Sequence, residues 1–221
     1  MMEGNTAAII LAAGASTRLG QPKQLIKLGG ETLIDRAVRI AREAGCSPIL
    51  VVLGAGLPGV VTHSRLEGAI KVINRDWQRG MATSIARGVE ILQAIANGDG
   101  VILMTCDQPA VTPDHLRALA SSTEPTASSY AARRGVPAWF PRASFPDLLN
   151  LTGDHGARDL LKHAPTIELP GGELDIDTAA DLAHAHQQMG DVLVENPPTT
   201  HKTNHMSARL DSNSPLTGDL N

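Results

Sequence analysis

The most informative stretch of the chain is LAAGASTRLGQPK, residues 11–23, which directly follows the apolar run AAII of residues 7–10. An apolar run this short, bounded by small residues, predicts a buried strand rather than a helix. Small residues after a strand let the backbone approach a ligand closely, because Gly14 has no Cβ and its neighbours are mainly alanine. Arg18 and Lys23 then add two cations. The stretch therefore predicts a strand followed by a polyphosphate-binding loop.

Two common phosphate-binding fingerprints do not fit this loop. The Walker pattern needs four residues between its glycines and Ser or Thr after its lysine, whereas five residues separate Gly14 from Gly20 and Gln24 follows Lys23. The dinucleotide pattern G-x-G-x-x-G fails as well, because no glycine stands two positions after Gly14. On these features alone, an ordinary turn between strand and helix, with solvated cations, remains an alternative.

The full thirteen-residue string resembles the signature of the MobA-like nucleotidyltransferases, which is LAAG or LAGG followed by x-S-x-R-x-G-x-x-K. Every fixed position is present: Leu11, Ala12, Ala13, Gly14, Ser16, Arg18, Gly20 and Lys23. The resemblance implies that the loop backbone holds the base and ribose, while Arg18 and Lys23 hold the triphosphate. The LAAG form, with Ala13, is typical of the branch that uses CTP rather than GTP.

Composition narrows the class of protein. The 221 residues are enough for one sizeable domain, and a net charge of −4 without a basic block gives no footprint for nucleic acid. Two cysteines are too few for a disulfide framework, so we expect reduced thiols in a cytoplasmic protein. The N-terminal residues do not resemble a signal segment, and no apolar run approaches the ~20 residues of a membrane helix.

Strands and helices alternate along the chain, which predicts an α/β domain with a mostly parallel sheet. The resemblance implies a single three-layer α/β/α domain of Rossmann-like nucleotidyltransferase type, which we place at residues 1–194. Residues 195–221 are polar and we predict a disordered tail. The pattern of apolar residues predicts strands at 7–10, 49–53, 70–73, 101–104, 128–132 and 166–169, and helices at 33–44, 81–96, from 113 after a Thr112 cap, and 179–189.

Carboxylates follow two of these segments. Asp107 comes three positions after the apolar run 101–104 ends. Ligands bind at the carboxyl ends of strands in such sheets, although an Asx turn before Pro109 explains this aspartate equally well. In LDIDT, residues 174–178, alternation places Asp175 and Asp177 on one face, and Asp177 could instead cap the last helix. Carboxylates from separate strand ends suit Mg²⁺. The resemblance implies the same, with Asp107 and Asp177 as ligands and Asp175 as the fallback.

Three further strings resemble the molybdenum cofactor cytidylyltransferase branch of this family. GMATS, residues 80–84, corresponds to a helix start beside the base, which implies contacts from Gly80, Met81 and Ser84. Unpaired amides at a helix start offer donors to a ligand, although Thr83 and Ser84 could simply satisfy that helix end. GVPAWF, residues 135–140, and GDHGAR, residues 153–158, resemble the side that receives the pterin phosphate. That resemblance implies acceptor contacts from Gly135, Pro137, Phe140, Gly156 and Arg158. By chemistry alone, Trp139 or Phe140 could flank a flat pterin and Arg158 could bind a phosphate, although a core aromatic pair and a turn with a surface arginine explain these residues equally well.

Together with these residues, the resemblance implies a Mg²⁺-dependent enzyme that transfers CMP from CTP to the terminal phosphate of molybdopterin or molybdenum cofactor and releases pyrophosphate. We expect Arg18, Lys23, Asp107 and Asp177 to be catalytic, and a molybdoenzyme to receive the product. We expect no nucleic acid or membrane partner. A different phosphate acceptor, a cofactor carrier without catalysis, and a nicotinamide-dependent oxidoreductase are the rivals; the missing G-x-G-x-x-G counts against the last.

Overall fold

The computed structural model describes residues 6–55 and 57–188, so the predicted tail and the last residues of the predicted domain lie outside the described residues. The strands are β1 (Thr6–Ala12), β2 (Lys27–Leu28), β3 (Glu31–Thr32), β4 (Ile49–Leu53), β5 (Ile70–Ile73), β6 (Gly100–Thr105), β7 (Thr126–Tyr130), β8 (Arg133–Pro141) and β9 (Thr166–Glu168). The helices are α1 (Leu33–Glu43), α2 (Leu57–His63), α3 (Met81–Ile95), α4 (Pro113–Ala120), α5 (Phe145–Leu149) and α6 (Ala179–Gln188).

Within these residues, seven strands form one sheet in the order β5-β4-β1-β6-β8-β7-β9. Strands β5, β4, β1 and β6 are parallel, whereas β8 runs antiparallel to both β6 and β7. The order reverses at β1, from which the chain goes first to β4 and later to β6. Ligands bind at such a switch point, beyond the carboxyl ends of the strands. The loop after β1 and the residues after β6 therefore meet at one edge of the sheet.

Helices cover both faces of the sheet, which confirms the predicted three-layer architecture. One core contains apolar side chains of α1, α2 and α4, such as Ile34, Val60 and Leu116. The other contains those of α3 and α5, such as Ile85 and Leu148. The strands between the two layers are buried on both faces, so they read as continuous apolar runs. A smaller cluster joins the segment after the loop to α6.

The predicted elements are present, with shifts of one or two residues at their ends. Thr112 caps α4 as predicted, because its Oγ1 accepts a hydrogen bond from the His115 backbone N–H at 3.2 Å. The predicted strand 128–132 lies instead at 126–130, because Ala131 and Ala132, with φ of 44° and 56°, form the turn of a hairpin. The strand β8 and the short elements β2, β3, α2 and α5 were not predicted. No helix of the described part has both the length and the apolarity needed to cross a bilayer.

Candidate active site

The loop after β1 is held by its own polar side chains. Ser16 has left-handed backbone angles, φ 51° and ψ 39°, and its Oγ accepts a hydrogen bond from the Lys23 backbone N–H at 3.1 Å. Gln24 is 1% exposed, and its Nε2 donates to the carbonyl oxygens of Ala12 at 2.8 Å and Gly14 at 3.1 Å. These bonds fold residues 12–24 into a closed ring. Because the ring fixes its backbone direction, the loop is organised before any ligand arrives.

Lys23 lies between two carboxylates. Its Nζ donates to Asp107 Oδ2 and to Asp177 Oδ1, each at 2.6 Å. Asp107 follows β6, and its carbonyl oxygen accepts a hydrogen bond from the Ile176 N–H at 3.0 Å. That backbone bond brings the segment containing Asp177 to the end of β6. Arg18 lies on the outer side, with its Nη1 3.6 Å from Asp177 Oδ2 and its side chain 78% exposed.

This cluster alters the ionisation of its members. Burial alone would lower the pKa of Lys23, but the charges of Asp107 and Asp177 and their hydrogen bonds outweigh it and raise that pKa. Desolvation of the carboxyl, followed by the negative charges of Asp107 and Asp177, raises the pKa of Asp175 to about 6, although part of this residue remains exposed. Burial, with help from Asp107, raises the pKa of Cys106 to about 12. The lysine therefore stays charged and the thiol stays protonated.

The donor set fits a divalent cation of the Mg²⁺ type. Lys23 Nζ shows that a positive charge is held here by two carboxylate oxygens from separate segments. In residues 6–55 and 57–188, no group of three or more His, Cys, Asp or Glu side chains comes close enough to enclose a metal. Asp175 therefore does not complete a three-carboxylate cage. Mg²⁺ is commonly bound through one or two carboxylates together with substrate phosphates, which matches the pair Asp107 and Asp177.

A cavity of about 520 Å³ opens beside this cluster. Most of the residues predicted to contact a nucleotide line it: Leu11, Ala12, Ala13, Gly14, Lys23, Gly80, Met81, Ser84 and Asp107. Ser16 and Arg18 do not. Ser16 is committed to closing the loop, and Arg18 lies outside beside Asp177. The remaining lining residues are Gln24, Trp77, Gln78, Arg79, Thr105, Cys106, Gly153 and Asp154.

The start of α3 differs from the prediction. The Met81 N–H donates to Asp154 Oδ1 at 3.0 Å, and the Ala82 N–H donates to the Gly153 carbonyl oxygen at 3.1 Å. The amides expected to be unpaired are thus already bonded to the GDHGAR loop. A Cβ on Gly80 would lie 2.4 Å from the Gly153 oxygen, so glycine is required for this approach. The two segments that we assigned to different substrates are one unit.

The residues predicted for the acceptor are dispersed. Phe140 is fully buried in the core and pairs with Val101 near the start of β6, at the edge of the sheet opposite the ligand side. Trp139 is 3% exposed and belongs to the core on the other face, since neighbours in a strand point to opposite sides. The expectation that Phe140 or Trp139 contacts a pterin is therefore wrong in this structure.

The other acceptor candidates lie nearer the ligand edge but do not line the cavity. Gly135 and Pro137 are in the first half of β8, which is beside the end of β6 because the two strands are antiparallel. Gly156 is buried, and a Cβ there would meet Met81 Sδ at 2.7 Å. Arg158 is exposed, and no described residue forms an ion pair with it. Of these four, Arg158 has a side chain suited to an anion.

Three functional candidates escaped the sequence analysis: Gln24, Trp77 and Asp154. Gln24 carries no signal beyond its place after Lys23, because the carbonyl groups it binds are invisible in a sequence. Trp77 could have been singled out, since a ring is rare in a chain with 2% aromatic residues. Asp154 stands in a quoted motif, but its partner is a backbone amide more than 70 positions away.

With the loop, the carboxylate pair and the cavity in place, comparison with known families is informative. Residues 8–168 match the model of the MobA-like NTP transferase domain. The chain belongs to this family. The matched range contains Lys23 and Asp107 and ends before Asp177.

Individual relatives carry several names. Nicotine blue oxidoreductase of Paenarthrobacter nicotinovorans is 34% identical over 170 residues, which cover 71% of this chain and 81% of that protein. Purine catabolism protein PucB of Bacillus subtilis is 30% identical over 198 residues, 82% and 96% of the two chains. A probable molybdenum cofactor guanylyltransferase of Nostoc sp. is 27% identical over 209 residues, 88% and 97% of the two chains.

Solved structures agree with the fold. Rv0371c of Mycobacterium tuberculosis superimposes with a TM-score of 0.73 at 33% identity and covers 85% of this chain and 100% of its own. A complex of Rv0371c with manganese gives a TM-score of 0.66 at 30% identity, covering 83% and 98% of the two chains. A nucleotidyl transferase of Methanothermobacter gives 0.70 at 25% identity, covering 83% and 96%. The manganese complex is consistent with a divalent metal in the family.

Proposed function

We propose that this MobA-like protein transfers CMP from CTP to the terminal phosphate of molybdopterin or molybdenum cofactor, in a Mg²⁺-dependent reaction that releases pyrophosphate. The observation that carries the proposal is the Lys23 ammonium held 2.6 Å from both Asp107 and Asp177 at the end of a preorganised loop. This cluster offers a permanent cation for phosphates and two carboxylates for a metal. Such groups, fixed in advance where charge develops, are the main source of catalysis in phosphoryl transfer.

Each residue has a defined task in this proposal. Lys23 and Arg18 stabilise negative charge on the phosphates, and the ring closed by Ser16 and Gln24 keeps Lys23 in place. Asp107 and Asp177 would hold Mg²⁺, which neutralises phosphate charge when it is bound with the nucleotide. The attacking oxygen of a phosphate monoester is ionised near neutral pH, so a general base is not required.

The choice of CTP over GTP rests on one residue, Ala13. Relatives with molybdenum cofactor in their names are called guanylyltransferases, so GTP is the direct competitor. The decisive experiment gives the purified protein molybdopterin, Mg²⁺ and each nucleoside triphosphate in turn, and measures pyrophosphate. We expect pyrophosphate release with CTP and with no other nucleotide. Release with GTP but not with CTP would show that the nucleotide substrate is GTP, and release with neither would exclude the reaction with this acceptor.

A second candidate is an oxidoreductase, because the relative from Paenarthrobacter carries that name at 34% identity. The missing G-x-G-x-x-G fingerprint therefore does not dispose of redox chemistry by itself. The two candidates differ in what they consume. Oxidation of a reduced nicotinamide cofactor, followed by absorbance with candidate acceptors, together with no pyrophosphate release from any nucleotide, would favour the oxidoreductase.

A carrier that only binds molybdenum cofactor and a transferase acting on another phosphate monoester are the remaining alternatives. A carrier has no need for a lysine between two carboxylates, and it would deliver cofactor without consuming a nucleotide. A panel of phosphate monoesters with CTP would identify another acceptor. We propose a molybdoenzyme as the recipient of the product and residues 1–194 as the catalytic domain, which truncation after residue 194 tests through retained turnover.

A further inference from the structure

Aromatic side chains are scarce in this protein, and one of them lines the cavity. Of the five Phe, Trp and Tyr residues, Trp139, Phe140 and Phe145 are at most 3% exposed in the cores. Tyr130 hydrogen-bonds to Gln108 and is not part of the cavity wall. Trp77 is half-buried and is the aromatic residue among the described residues lining the cavity. An indole left at a cavity surface, in a chain that otherwise buries its rings, needs a functional explanation.

The local structure holds Trp77 firmly at this wall. It begins a short 3-10 turn, residues 77–79, between β5 and α3, and its carbonyl oxygen accepts a hydrogen bond from the Gly80 N–H at 3.1 Å. The turn is anchored by Asn74, whose Oδ1 accepts from the Asp76 N–H and whose Nδ2 donates to Ser84 Oγ, each at 2.9 Å. The side chain of Trp77 thus starts from a fixed backbone.

Trp77 also contacts the phosphate-binding side of the site. Its side chain closes over Gly54, at the end of β4, where an added Cβ would lie 2.7 Å from Trp77 Cγ and 2.9 Å from the Ala13 Cβ. Ala13 belongs to the loop that ends in Lys23. The indole therefore packs on Gly54, next to Ala13 of the loop. Lys23 and Asp107 provide the polar part of the same cavity.

We propose that the Trp77 ring is the surface against which the base of the bound nucleotide lies. This inference rests on the proposed function, since it requires a nucleoside triphosphate with its phosphates at Lys23. Bases have flat apolar faces, and a ring fixed in a cavity wall suits them because stacking removes the face of the base and the face of the ring from water. Stacking tolerates every base, so Trp77 supplies affinity for nucleotides as a class. Choice among bases then falls to groups at the base edges.

The test separates the base from the phosphates by comparing two nucleotides with a ligand that has no base. Binding of CTP, GTP and inorganic triphosphate is measured by calorimetry, without an acceptor, for the wild type, Trp77→Leu and Trp77→Phe. We expect Trp77→Leu to weaken both nucleotides by about tenfold or more, and Trp77→Phe by much less, because it retains a ring. Inorganic triphosphate, which has no base, should bind equally to all three proteins.

The triphosphate arm also shows whether the variants are folded. Equal weakening of triphosphate and nucleotides in Trp77→Leu would mean that the ring only supports the loop, and would overturn the inference. Unchanged nucleotide binding in that variant would overturn it too, while leaving the proposed function intact. A wild type that binds triphosphate but no nucleotide, or neither ligand, would reject the proposed function first and the inference with it.

Fluorescence gives an independent signal. Trp139→Phe leaves Trp77 as the single tryptophan, and it breaks no hydrogen bond of the described residues, because none of them is a partner of the buried Trp139 Nε1. Stacking of a base on Trp77 should quench the emission of this variant on addition of CTP or GTP. Inorganic triphosphate should leave the emission nearly unchanged. Equal quenching by triphosphate and by nucleotides would contradict direct contact between the base and the ring.

Discussion

The two regions of the candidate site, the proposed phosphate-binding end around Lys23 and the proposed acceptor side at β8 and the GDHGAR loop, are built in contrasting ways. Around Lys23, polar groups are paired over short distances, with Gln24 closing the loop and two carboxylates around the ammonium. On the acceptor side, Arg158 is exposed while Phe140 is locked in the core. A motif folded by its own hydrogen bonds keeps one geometry. Residues spread over a strand and a loop take their geometry from whatever packs around them.

The largest effect is expected when a charge is removed from the proposed phosphate-binding end. Lys23→Ala and Asp107→Ala should each reduce pyrophosphate release by about 10²–10³-fold or more, because each removes a fixed charge from the proposed site of nucleotidyl transfer. Lys27→Ala, which removes an exposed lysine from β2, should leave turnover within about twofold of wild type. Turnover near the wild-type rate in Lys23→Ala would remove this cluster from the mechanism.

The same pair of variants separates the two roles within the cluster. Because Lys23 occupies both carboxylates, Lys23→Ala should bind Mn²⁺ at least as tightly as wild type in the absence of nucleotide, while Asp107→Ala should bind it more weakly. Calorimetry or the paramagnetic signal of Mn²⁺ measures this. Weaker binding in Lys23→Ala than in Asp107→Ala would mean that the metal lies elsewhere.

The next effect concerns the junction between the two regions. Gly80 has φ 110° and ψ 169°, a conformation that essentially only glycine adopts, and a Cβ there would strike the Gly153 oxygen. Gly80→Ala should lower the free energy of unfolding by about 3 kcal/mol, from backbone strain and from overpacking.

Gly68→Ala is the matched control, because Gly68 also has positive φ, 76°, but nothing lies within 4 Å of an added Cβ. It should cost only about 1 kcal/mol. Urea unfolding of both variants gives the comparison. Equal losses would show that the close approach of Gly80 to Gly153 adds nothing to the cost of the substitution.

A smaller effect tests the acceptor side itself. Arg158 is an exposed cation in the GDHGAR loop, which we predict to contact the acceptor. A charge-assisted hydrogen bond to phosphate contributes roughly 1.5–3 kcal/mol. Arg158→Ala should therefore raise the KM for molybdopterin by about tenfold and leave the KM for nucleotide unchanged. Lys162→Ala, an exposed lysine in the same segment, should change neither. An unchanged KM for the acceptor in Arg158→Ala would show that Arg158 does not bind the acceptor and that the known contacts of the GDHGAR loop are those to α3.

The contrast between the regions also explains what sequence reasoning achieved. The loop and the meeting of Asp107 with Lys23 were predictable, because the ends of neighbouring parallel strands share an edge. Phe140 was misplaced because β8 was not predicted as a strand, and its alternation inside a sheet covered on both faces decides where each ring points. The hydrogen bond from the Met81 backbone N–H to Asp154 could not be predicted from the sequence, since no local pattern links residues so far apart.

The smallest effect lies deep on the acceptor side and depends on pH. His115 in α4 is 8% exposed, and its Nε2 lies 2.7 Å from Ser128 Oγ, which in turn donates to the carbonyl oxygen of Pro137 in β8. Burial lowers the pKa of His115 below its usual 6.5. The unfolded chain therefore takes up a proton at a pH where the folded protein does not, so the wild type loses stability as pH falls below 6.5.

His115→Gln keeps a donor near Ser128 but cannot titrate, so the comparison isolates this proton. Urea midpoints of the wild type and the variant, measured at neutral pH and at about pH 5, should converge or cross on acidification, because only the wild type carries the histidine penalty. A constant gap would show that His115 does not link protonation to the packing behind β8. Lys23, whose pKa is raised, remains charged over this whole range, so its charge does not contribute to the change in stability.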